Sequence, residues 1–282
     1  MKKVLIFFLV LILLLTSCSV QTEQNSDLGS GSSHLQKSIS SSVPVFVVIH
    51  LEPGIDSHST AYPETYWPDL VKLVALADAY DIKLTLEFNP QWATYILADS
   101  EKLALVRSWE AEGHELAVHH HGPHHGESWN GYTHEQEYIS DPQYVGTITT
   151  MMDLLNQLPV SGKMVTGGIS VDEDKDADWP EGIIYGTDGG INGVDDLLSI
   201  PSLEEYNGHS IMSLSHAQYA TGKLGISLED IQSGLDSAQE GQVLGIVFHD
   251  KNYAADPGDI RSLFELLEDN NVSVQTVSQI LT

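Results

Sequence analysis

The sequence predicts an α/β fold in which a parallel sheet carries polar chemistry at the carboxyl ends of its strands. Apolar, β-branched runs such as 44–50 and 243–249 have the pattern of strands buried on both faces. They alternate with segments whose apolar residues recur at helical spacing. Histidines, carboxylates and an asparagine repeatedly follow the strand ends, which is where α/β barrels carry their active sites.

The individual elements follow from short local patterns. Runs with strand character are found at 44–50, 82–88, 115–119, 243–249 and 272–277. Helical spacing of apolar residues is found at 70–80, 103–109, 148–158 and 260–267. Gly113 suits the C-cap of the second of these helices. The stretch 166–222 is rich in Gly and Asp and has no clear pattern. Strands that alternate with helices indicate βα units and a parallel sheet.

The first 42 residues have the pattern of an export signal and a tether. Lys2 and Lys3 precede an apolar run, 4–15, that is too short to cross a bilayer comfortably. The sequence Leu-Thr-Ser-Cys that ends at Cys18 resembles a bacterial lipobox, and this cysteine is the only one in the chain. We expect cleavage after residue 17 and a lipid on Cys18. An ordinary secretory signal is the alternative.

The remaining chain divides into a tether and one catalytic domain. Residues 18–42 are rich in Ser, Gln and Gly, which predicts a flexible segment. The folded domain is expected at 43–282, outside the cytoplasm and held by lipid to the cell membrane or the outer membrane. We expect it to be a monomer.

The net charge of the chain limits the classes of molecule that it can bind. Forty acidic residues against 12 basic ones give a formal net charge of −28. Nucleic acid and anionic lipid headgroups are poor partners for such a surface. A cationic polymer or a salty habitat would suit it, and solubility alone explains it equally well.

The segment 113–125 is the most informative one, because it holds six of the 13 histidines. Imidazole is the commonest protein ligand for zinc-like metals. His119 and His121 stand two apart on a strand, so both can face one ion while His120 faces away. A polar loop without a structured site is the alternative. The pair His50 and Glu52 at another strand end strengthens the prediction of a metal site.

Five segments, in this order, resemble motifs of the polysaccharide deacetylase (NodB-homology) superfamily of carbohydrate esterases. Residues 47–54 occupy the place of its T-F-D-D-G motif, and 83–88 is similar to its K-A-T-F-F strand. The sequence G-H-E-L-A-V-H at 113–119 is close to G-H-E-I-G-N-H. Residues 243–250 resemble I-V-L-L-H-D, and 274–281 resemble F-V-T-V-S-E-L-L. The resemblance covers nearly all of the chain after residue 43.

The resemblance implies a distorted (β/α) barrel of seven strands. It also implies a divalent metal held by one Asp and two His, a carboxylate that acts as base on the attacking water, and a late His that acts as acid. Members of the family remove N-acetyl groups from chitin-like or peptidoglycan sugars, or O-acetyl groups from xylan. The implied activity is therefore metal-dependent deacylation of an envelope or extracellular polysaccharide. Mixed N/O ligands suit zinc, with Co, Ni or Mn as alternatives.

The first motif departs from the family pattern. Glu52 takes the place of the metal-binding aspartate, and Leu51 takes the place of the base, although leucine cannot deprotonate water. The base is then expected among His50, Glu87 and Asp56. His50 is also a candidate additional ligand, and Glu87 is equally a candidate for a buried structural carboxylate.

The second motif departs as well. The family spacing H-x-x-x-H would pair His119 with Pro123, which has no side-chain ligand atom. The second His ligand is expected to be His121 or His124, with His120 and His124 as a shifted alternative. The remaining histidines of the cluster, His120 and His125, are expected beside the site or in solvent, and His114 is expected to be structural.

The late motif supplies the acid. His249 can protonate a leaving amine or alkoxide, and Asp250 is expected to orient it or to cap the next turn. Trp129 and Tyr132 are expected to stack on sugar faces, or alternatively to form a hydrophobic plug.

Two further family motifs are hard to place. The R-x-P motif is not visible, and the candidates for the D-W motif are Asp178-Trp179 and Asp188. We expect His209 and His216 to be surface or core histidines, with a role as added polar groups of the site as the alternative.

Two other functions fit the altered first motif. The chain would then be a non-catalytic lipoprotein that binds metal or glycan on the same barrel, or a hydrolase of another amide substrate.

Overall fold

The computed structural model describes residues 43–124, 128–165, 182, 184–188, 196–206, 209–219 and 225–282. The predicted signal peptide and tether, Cys18, His125 and Asp178-Trp179 lie outside these residues. The strands are β1 Val45–His50, β2 Thr85–Phe88, β3 Glu115–Val118, β4 Tyr185–Asp188, β5 Leu198–Ser199, β6 Ser202–Tyr206, β7 His209–Ser215, β8 Ala217–Gln218 and β9 Val243–His249. The helices are α1 Ala61–Ala79, α2 Pro90–Leu97, α3 Ser100–Ala111, α4 Ile148–Leu155, α5 Leu228–Ser237, α6 Asp250–Ala255, α7 Pro257–Asp269 and α8 Val277–Ile280.

The main sheet is built around two buried central strands. Its order is β3-β2-β1-β9-β5, and β8 also pairs with β9. All of these pairs are parallel except β5 with β9. A second sheet has the order β4-β7-β6, in which β4 is parallel and β6 antiparallel to β7. The predicted α/β fold class with a parallel sheet is confirmed.

The two faces of the main sheet pack against different partners. On one face, Val45, Val47 and Ile49 of β1 join the large core that the helices cover. On the other face, Phe46 and Val48 pack with residues of the second sheet, including Tyr185 and Leu214. Side chains alternate along a strand, so the next residue on this inner face is His50. The inner face therefore changes from apolar to polar at the carboxyl end of β1.

A close approach of two backbones depends on Gly245 in β9. A Cβ atom at this position would lie 2.3 Å from the carbonyl oxygen of Ser215 and 3.0 Å from Cα of His216. Since backbone atoms cannot yield as a flexible side chain does, glycine is required for β8 and its preceding residue to sit against β9. This contact brings His216 to the inner face.

Local capping residues explain where two of the helices begin. α7 begins with Asp256 as N-cap and Pro257 in its first turn, and α5 begins with a capping box of Ser227 and Asp230. None of the helices in the described ranges is both long and apolar enough to span a bilayer.

Several elements differ from the sequence prediction: helices α2, α5, α6 and α8 were not predicted, and one predicted strand is absent. The run 272–277 is not a strand: Val274 alone bridges to Val45, and Thr276 caps α8 through a capping box with Gln279. The capping side chains satisfy backbone groups locally and so override the alternating pattern. Helix α2 was not predicted, although Asn89 followed by Pro90 is a helix-start signal, and Asn89 is its N-cap.

Candidate metal centre

Three polar side chains form one row across the main sheet. The strand register pairs His50 of β1 with Glu87 of β2 on one side and with His249 of β9 on the other. Residues that pair in a parallel sheet project to the same face. His50 Nε2 lies 3.3 Å from Glu87 Oε2, and the rings of His50 and His249 meet edge to face with centroids 5.4 Å apart.

Strand β3 adds two histidines directly after its end. Ala117 pairs with Glu87, so His119, two residues further on, projects to the same face. The His119 backbone N–H donates to the carbonyl of Phe88 at 2.8 Å, which extends the β2–β3 pairing by one step. The His119 ring stacks on His50 with centroids 4.3 Å apart, and its centroid is 4.5 Å from that of His121.

Glu52 closes the cluster from the loop after β1. Its Oε1 lies 3.0 Å from His249 Nε2, and its Oε2 lies 3.8 Å from His121 Nδ1. Its backbone is held by α2: Trp92 Nε1 donates to the Glu52 carbonyl at 3.0 Å, and Asn89 Nδ2 donates to the carbonyl of Leu51. The N-terminus of α2 therefore sets the height of the Glu52 side chain above the sheet.

The donor atoms form two overlapping groups. Glu52, His119 and His121 offer ligand atoms that all lie within 4.8 Å of one another, and so do His50, Glu87 and His119. Both groups mix imidazole nitrogen with carboxylate oxygen, the donor set that suits Zn²⁺. His121 Nδ1 also lies 3.1 Å from the Ser128 carbonyl, and a partner of this kind fixes the orientation of a ligating imidazole. The residues present fit a bound divalent cation.

Glu87 is the most unusual carboxyl group in this cluster. It is fully buried, and within the described part of the chain neither of its oxygens has a hydrogen bond of good geometry. Burial, and secondarily the nearby Glu115, raise its pKa well above the usual range. A buried carboxylate without compensation is costly, so an adjacent cation would stabilise its ionised form.

Glu115 lies on the neighbouring strand β3, two residues before the Ala117 that pairs with Glu87, and each of its carboxyl oxygens accepts a hydrogen bond. Its Oε1 accepts from the Tyr185 hydroxyl at 3.0 Å, and its Oε2 accepts from the Ser278 N–H at 3.1 Å. The two carboxyl groups thus share the interior of the fold but differ in their hydrogen bonding. This contrast indicates a functional role for Glu87 and a structural role for Glu115.

The electrostatics of the site favour neutral forms of His50 and His216 and an ionised Glu52. Burial and then the neighbouring histidines lower the pKa of His50 well below its usual value. Burial and His249 lower the pKa of His216 to about 3. For Glu52, burial opposes ionisation, but the hydrogen bond from His249 and the nearby imidazoles outweigh it and lower the pKa to about 2. Neutral imidazole and ionised carboxylate are the forms that bind metals.

Several predicted residues lie outside both donor groups. His124 Nε2 contacts Glu135 at 3.1 Å, and its ring packs against Tyr138, so it is not among the grouped ligand atoms. His120 Nδ1 lies 3.1 Å from the amide of Asn130. Asp56 is exposed and accepts from the His58 N–H at 3.0 Å.

The aromatic pair expected to bind sugar is buried. Trp129 and Tyr132 are each 7% exposed, and Trp129 Nε1 donates to the Tyr132 carbonyl at 3.1 Å. Tyr132 belongs to the large core. Rings covered to this extent cannot stack on a sugar face, so the structure favours the hydrophobic plug over the sugar platform.

Leu51 and Asp250 also have clear positions. The Leu51 side chain is fully buried in the large core, so the place of the family's base faces away from the cluster. Asp250 Oδ1 accepts from the Tyr62 hydroxyl at 2.9 Å and from the Lys251 N–H at 2.7 Å, at the start of α6. Burial, opposed by these hydrogen bonds, raises its pKa to about 7. Among the described residues, Asp250 Oδ2 and His249 Nδ1 both lack a hydrogen-bond partner, so Asp250 does not hydrogen-bond the His249 ring. The His249 backbone N–H donates to Asn252 Oδ1 at 2.8 Å.

Two other histidines have clear positions. His216 was expected outside the site, yet its ring meets His50 edge to face with centroids 5.6 Å apart. It is buried, and its Nδ1 has no hydrogen-bond partner in the described ranges. The only sequence signal was its place directly after the run 209–215, which forms β7. His114 is structural, as predicted: its Nδ1 accepts from the Leu84 N–H at 3.0 Å.

Comparison with known proteins supports the fold. No protein-family model and no curated protein sequence matches the chain. The structure of PuuE allantoinase is similar with a TM-score of 0.54 and 16% sequence identity, over 84% of this chain and 88% of that chain. A Mycobacterium smegmatis protein assigned as a polysaccharide deacetylase is similar with a TM-score of 0.49 and 16% identity, over 86% and 90% of the two chains. The first likeness shows a shared fold.

Proposed function

We propose that this chain is a divalent-metal-dependent hydrolase that removes acyl groups, first of all acetyl groups, from a cell-envelope or extracellular polysaccharide. The observation that carries the proposal is the convergence of two carboxylates and five histidines at the carboxyl ends of neighbouring strands. The motif resemblance to polysaccharide deacetylases and the fold shared with PuuE allantoinase support a hydrolase.

Glu52, His119 and His121 would hold the cation, most simply Zn²⁺. Glu87 lies 3.5 Å from His119 Nδ1, and the Ser128 carbonyl lies 3.1 Å from His121 Nδ1. The Ser128 contact would fix the orientation of the His121 ring, and the Glu87 carboxyl group lies beside the His119 ring. The cation would supply Lewis acidity toward an acyl carbonyl and a water molecule activated near neutral pH.

His50 is the proposed base, with Glu87 behind it. The 3.3 Å contact between Glu87 and His50 Nε2 leaves Nδ1 as the nitrogen that takes up a proton. Glu87 is the buried carboxyl group nearest this ring across the β1–β2 pair, and it would stabilise the imidazolium that forms there. It replaces the family's aspartate base, whose place is taken by the buried Leu51.

His249 is the proposed acid. It stands at the end of β9 with 16% of its side chain exposed, and its Nε2 contacts Glu52 Oε1 at 3.0 Å. A proton held on this imidazole lies beside the proposed cation ligand, where a departing nitrogen or oxygen would receive it. Asp250 would hold the start of α6 against α1, because its carboxyl group accepts a hydrogen bond from the hydroxyl of Tyr62.

The proposal extends to location and partners. A lipid on Cys18 would hold the mature chain outside the cytoplasm, with residues 43–282 acting as a monomeric catalytic domain. The strong negative charge favours neutral or cationic glycans over anionic ones.

A non-catalytic binding protein is the second candidate, and the buried Leu51 favours it. The two functions differ in turnover. We expect acetate release from acetylated chitin, peptidoglycan or xylan fragments by the metal-loaded protein, with loss of release in His249→Ala. Cation binding without acetate release from any of these glycans, with Zn²⁺, Co²⁺, Ni²⁺ and Mn²⁺ each tried, would favour the binding protein. Release of another product from a wider panel of amides would redirect the substrate assignment.

A further inference from the structure

One buried amide joins the two loops that carry proposed cation ligands. Gln91 lies in the first turn of α2 and is 3% exposed. Its Nε2 donates to the carbonyl of Ser57 at 2.7 Å and to the carbonyl of Asn130 at 2.8 Å. A primary amide has two N–H donors, so both are in use.

Each of these carbonyls belongs to a loop with a proposed ligand. Ser57 lies in the loop that begins with Glu52. The Asn130 N–H donates to the carbonyl of His121 at 3.1 Å, and its side-chain amide lies 3.1 Å from Nδ1 of the adjacent His120. A chain of hydrogen bonds therefore runs from the Glu52 loop through Gln91 to the His121 segment.

Gln91 is itself held in place by the strand below it. Its backbone N–H donates at 3.1 Å to Oδ1 of Asn89, the N-cap residue that directly follows β2. The next residue, Trp92, anchors the Glu52 carbonyl. The N-terminus of α2 thus holds both loops in place, and α2 is itself fixed to the sheet because it directly follows β2. Neither of the hydrogen bonds donated by the Gln91 side chain goes to a proposed ligand side chain or to a reacting group.

We propose that Gln91 is a positioning residue of the metal centre, which sets the separation between Glu52 and His121. This inference rests on the proposed function, in which these two residues bind one cation. Ligand groups must be held to about 0.5 Å, and hydrogen-bonding partners behind the ligands typically change metal affinity 10–100-fold. Gln91 supplies that support to two loops at once.

Two substitutions separate hydrogen bonding from packing. Gln91→Met keeps the approximate length and removes both donors, and Gln91→Glu keeps the shape but points carboxylate oxygens at two carbonyls. Zn²⁺ affinity of the full-length chain is measured by competition with a chromophoric chelator, and unfolding is followed in EDTA. We expect Zn²⁺ affinity to fall 10–100-fold in Gln91→Met and further in Gln91→Glu. Gln279→Met, which removes a capping hydrogen bond at α8, is the control with unchanged affinity.

A double-mutant cycle tests whether Gln91 acts through His121. Gln91→Met should weaken Zn²⁺ binding much less in a His121→Ala background than in the wild type, because the ligand that it positions is gone. Wild-type affinity in Gln91→Met, within threefold, or a full additional loss in the double variant, overturns the inference. Absence of Zn²⁺ binding by the wild type contradicts the proposed function instead.

Discussion

Replacing Glu87 by glutamine should stabilise the metal-free protein. Because burial raises the pKa of Glu87, the folded state takes up a proton that the unfolded state lacks. This penalty is absent below the unfolded pKa of about 4.3 and grows by about 1.4 kcal/mol per pH unit above it, until pH reaches the raised folded pKa. The advantage of a neutral side chain at this position therefore grows as pH rises above about 4.3.

Glutamine recovers part of that penalty. Its neutral amide carries a desolvation cost of about 1–2 kcal/mol in the same place, so we expect Glu87→Gln to gain about 1–3 kcal/mol at pH 7 in EDTA. The gain should disappear between about pH 5 and pH 6 and become a loss of about 1–2 kcal/mol near pH 4, where the carboxyl group is neutral in both states. With Zn²⁺ present it should shrink or reverse, because the carboxylate then orients His50 and His119 beside a cation.

Urea unfolding at pH 4.5, 6 and 7.5, with and without Zn²⁺, measures these differences. Glu115→Gln is the matched control, because both of its oxygens accept hydrogen bonds. We expect this variant to lose about 1–3 kcal/mol under the same metal-free conditions. Equal effects of the two substitutions, or a loss above about 1 kcal/mol for Glu87→Gln at pH 7.5 in EDTA, would refute the reasoning.

Three further predictions concern the same face of the sheet. Gly245→Ala should lose at least about 3 kcal/mol in urea unfolding, since the new methyl group would lie 2.3 Å from the Ser215 carbonyl oxygen; a loss below about 1 kcal/mol would contradict the close packing. His249→Ala should lower kcat about 10²–10⁴-fold while metal content, measured by mass spectrometry, stays unchanged. Zn²⁺ at 100 times its Kd should add about 2.7 kcal/mol to the wild type, and Glu52→Gln should lose most of that gain in thermal unfolding.

Much of the fold was predictable because its signals are local. Strands β1, β9 and β3 can be recognised from their own short sequences. Parallel pairing then brings their carboxyl ends to one edge of the sheet. This reasoning placed His50, Glu87 and His249 at one site before any register was known. Their role as ligand, base or acid depends on distances that strand patterns do not contain.

The features that the sequence did not decide share a different cause. His216 joins the cluster only because β8 pairs with β9, a contact between segments far apart in sequence that depends on Gly245. Trp129 and Tyr132 stand in a polar loop, and composition does not reveal that the loop folds over them. The choice between His121 and His124 likewise depended on Glu135, a partner from the other end of the loop.

The positions of His50, Glu87 and His249 in the row across the main sheet are set directly by the backbone hydrogen bonds between their three strands. Loops on this side of the molecule can lengthen, shorten or exchange side chains without shifting that row, since its spacing is set by hydrogen bonds between strands. Variants with grafted loops that leave the segments of Glu52 and His121 intact should therefore keep the proposed reaction and differ in the substrate they accept. A slip of one residue between β1 and β9 would instead turn His249 to the opposite face from His50 and separate the proposed acid from the proposed base.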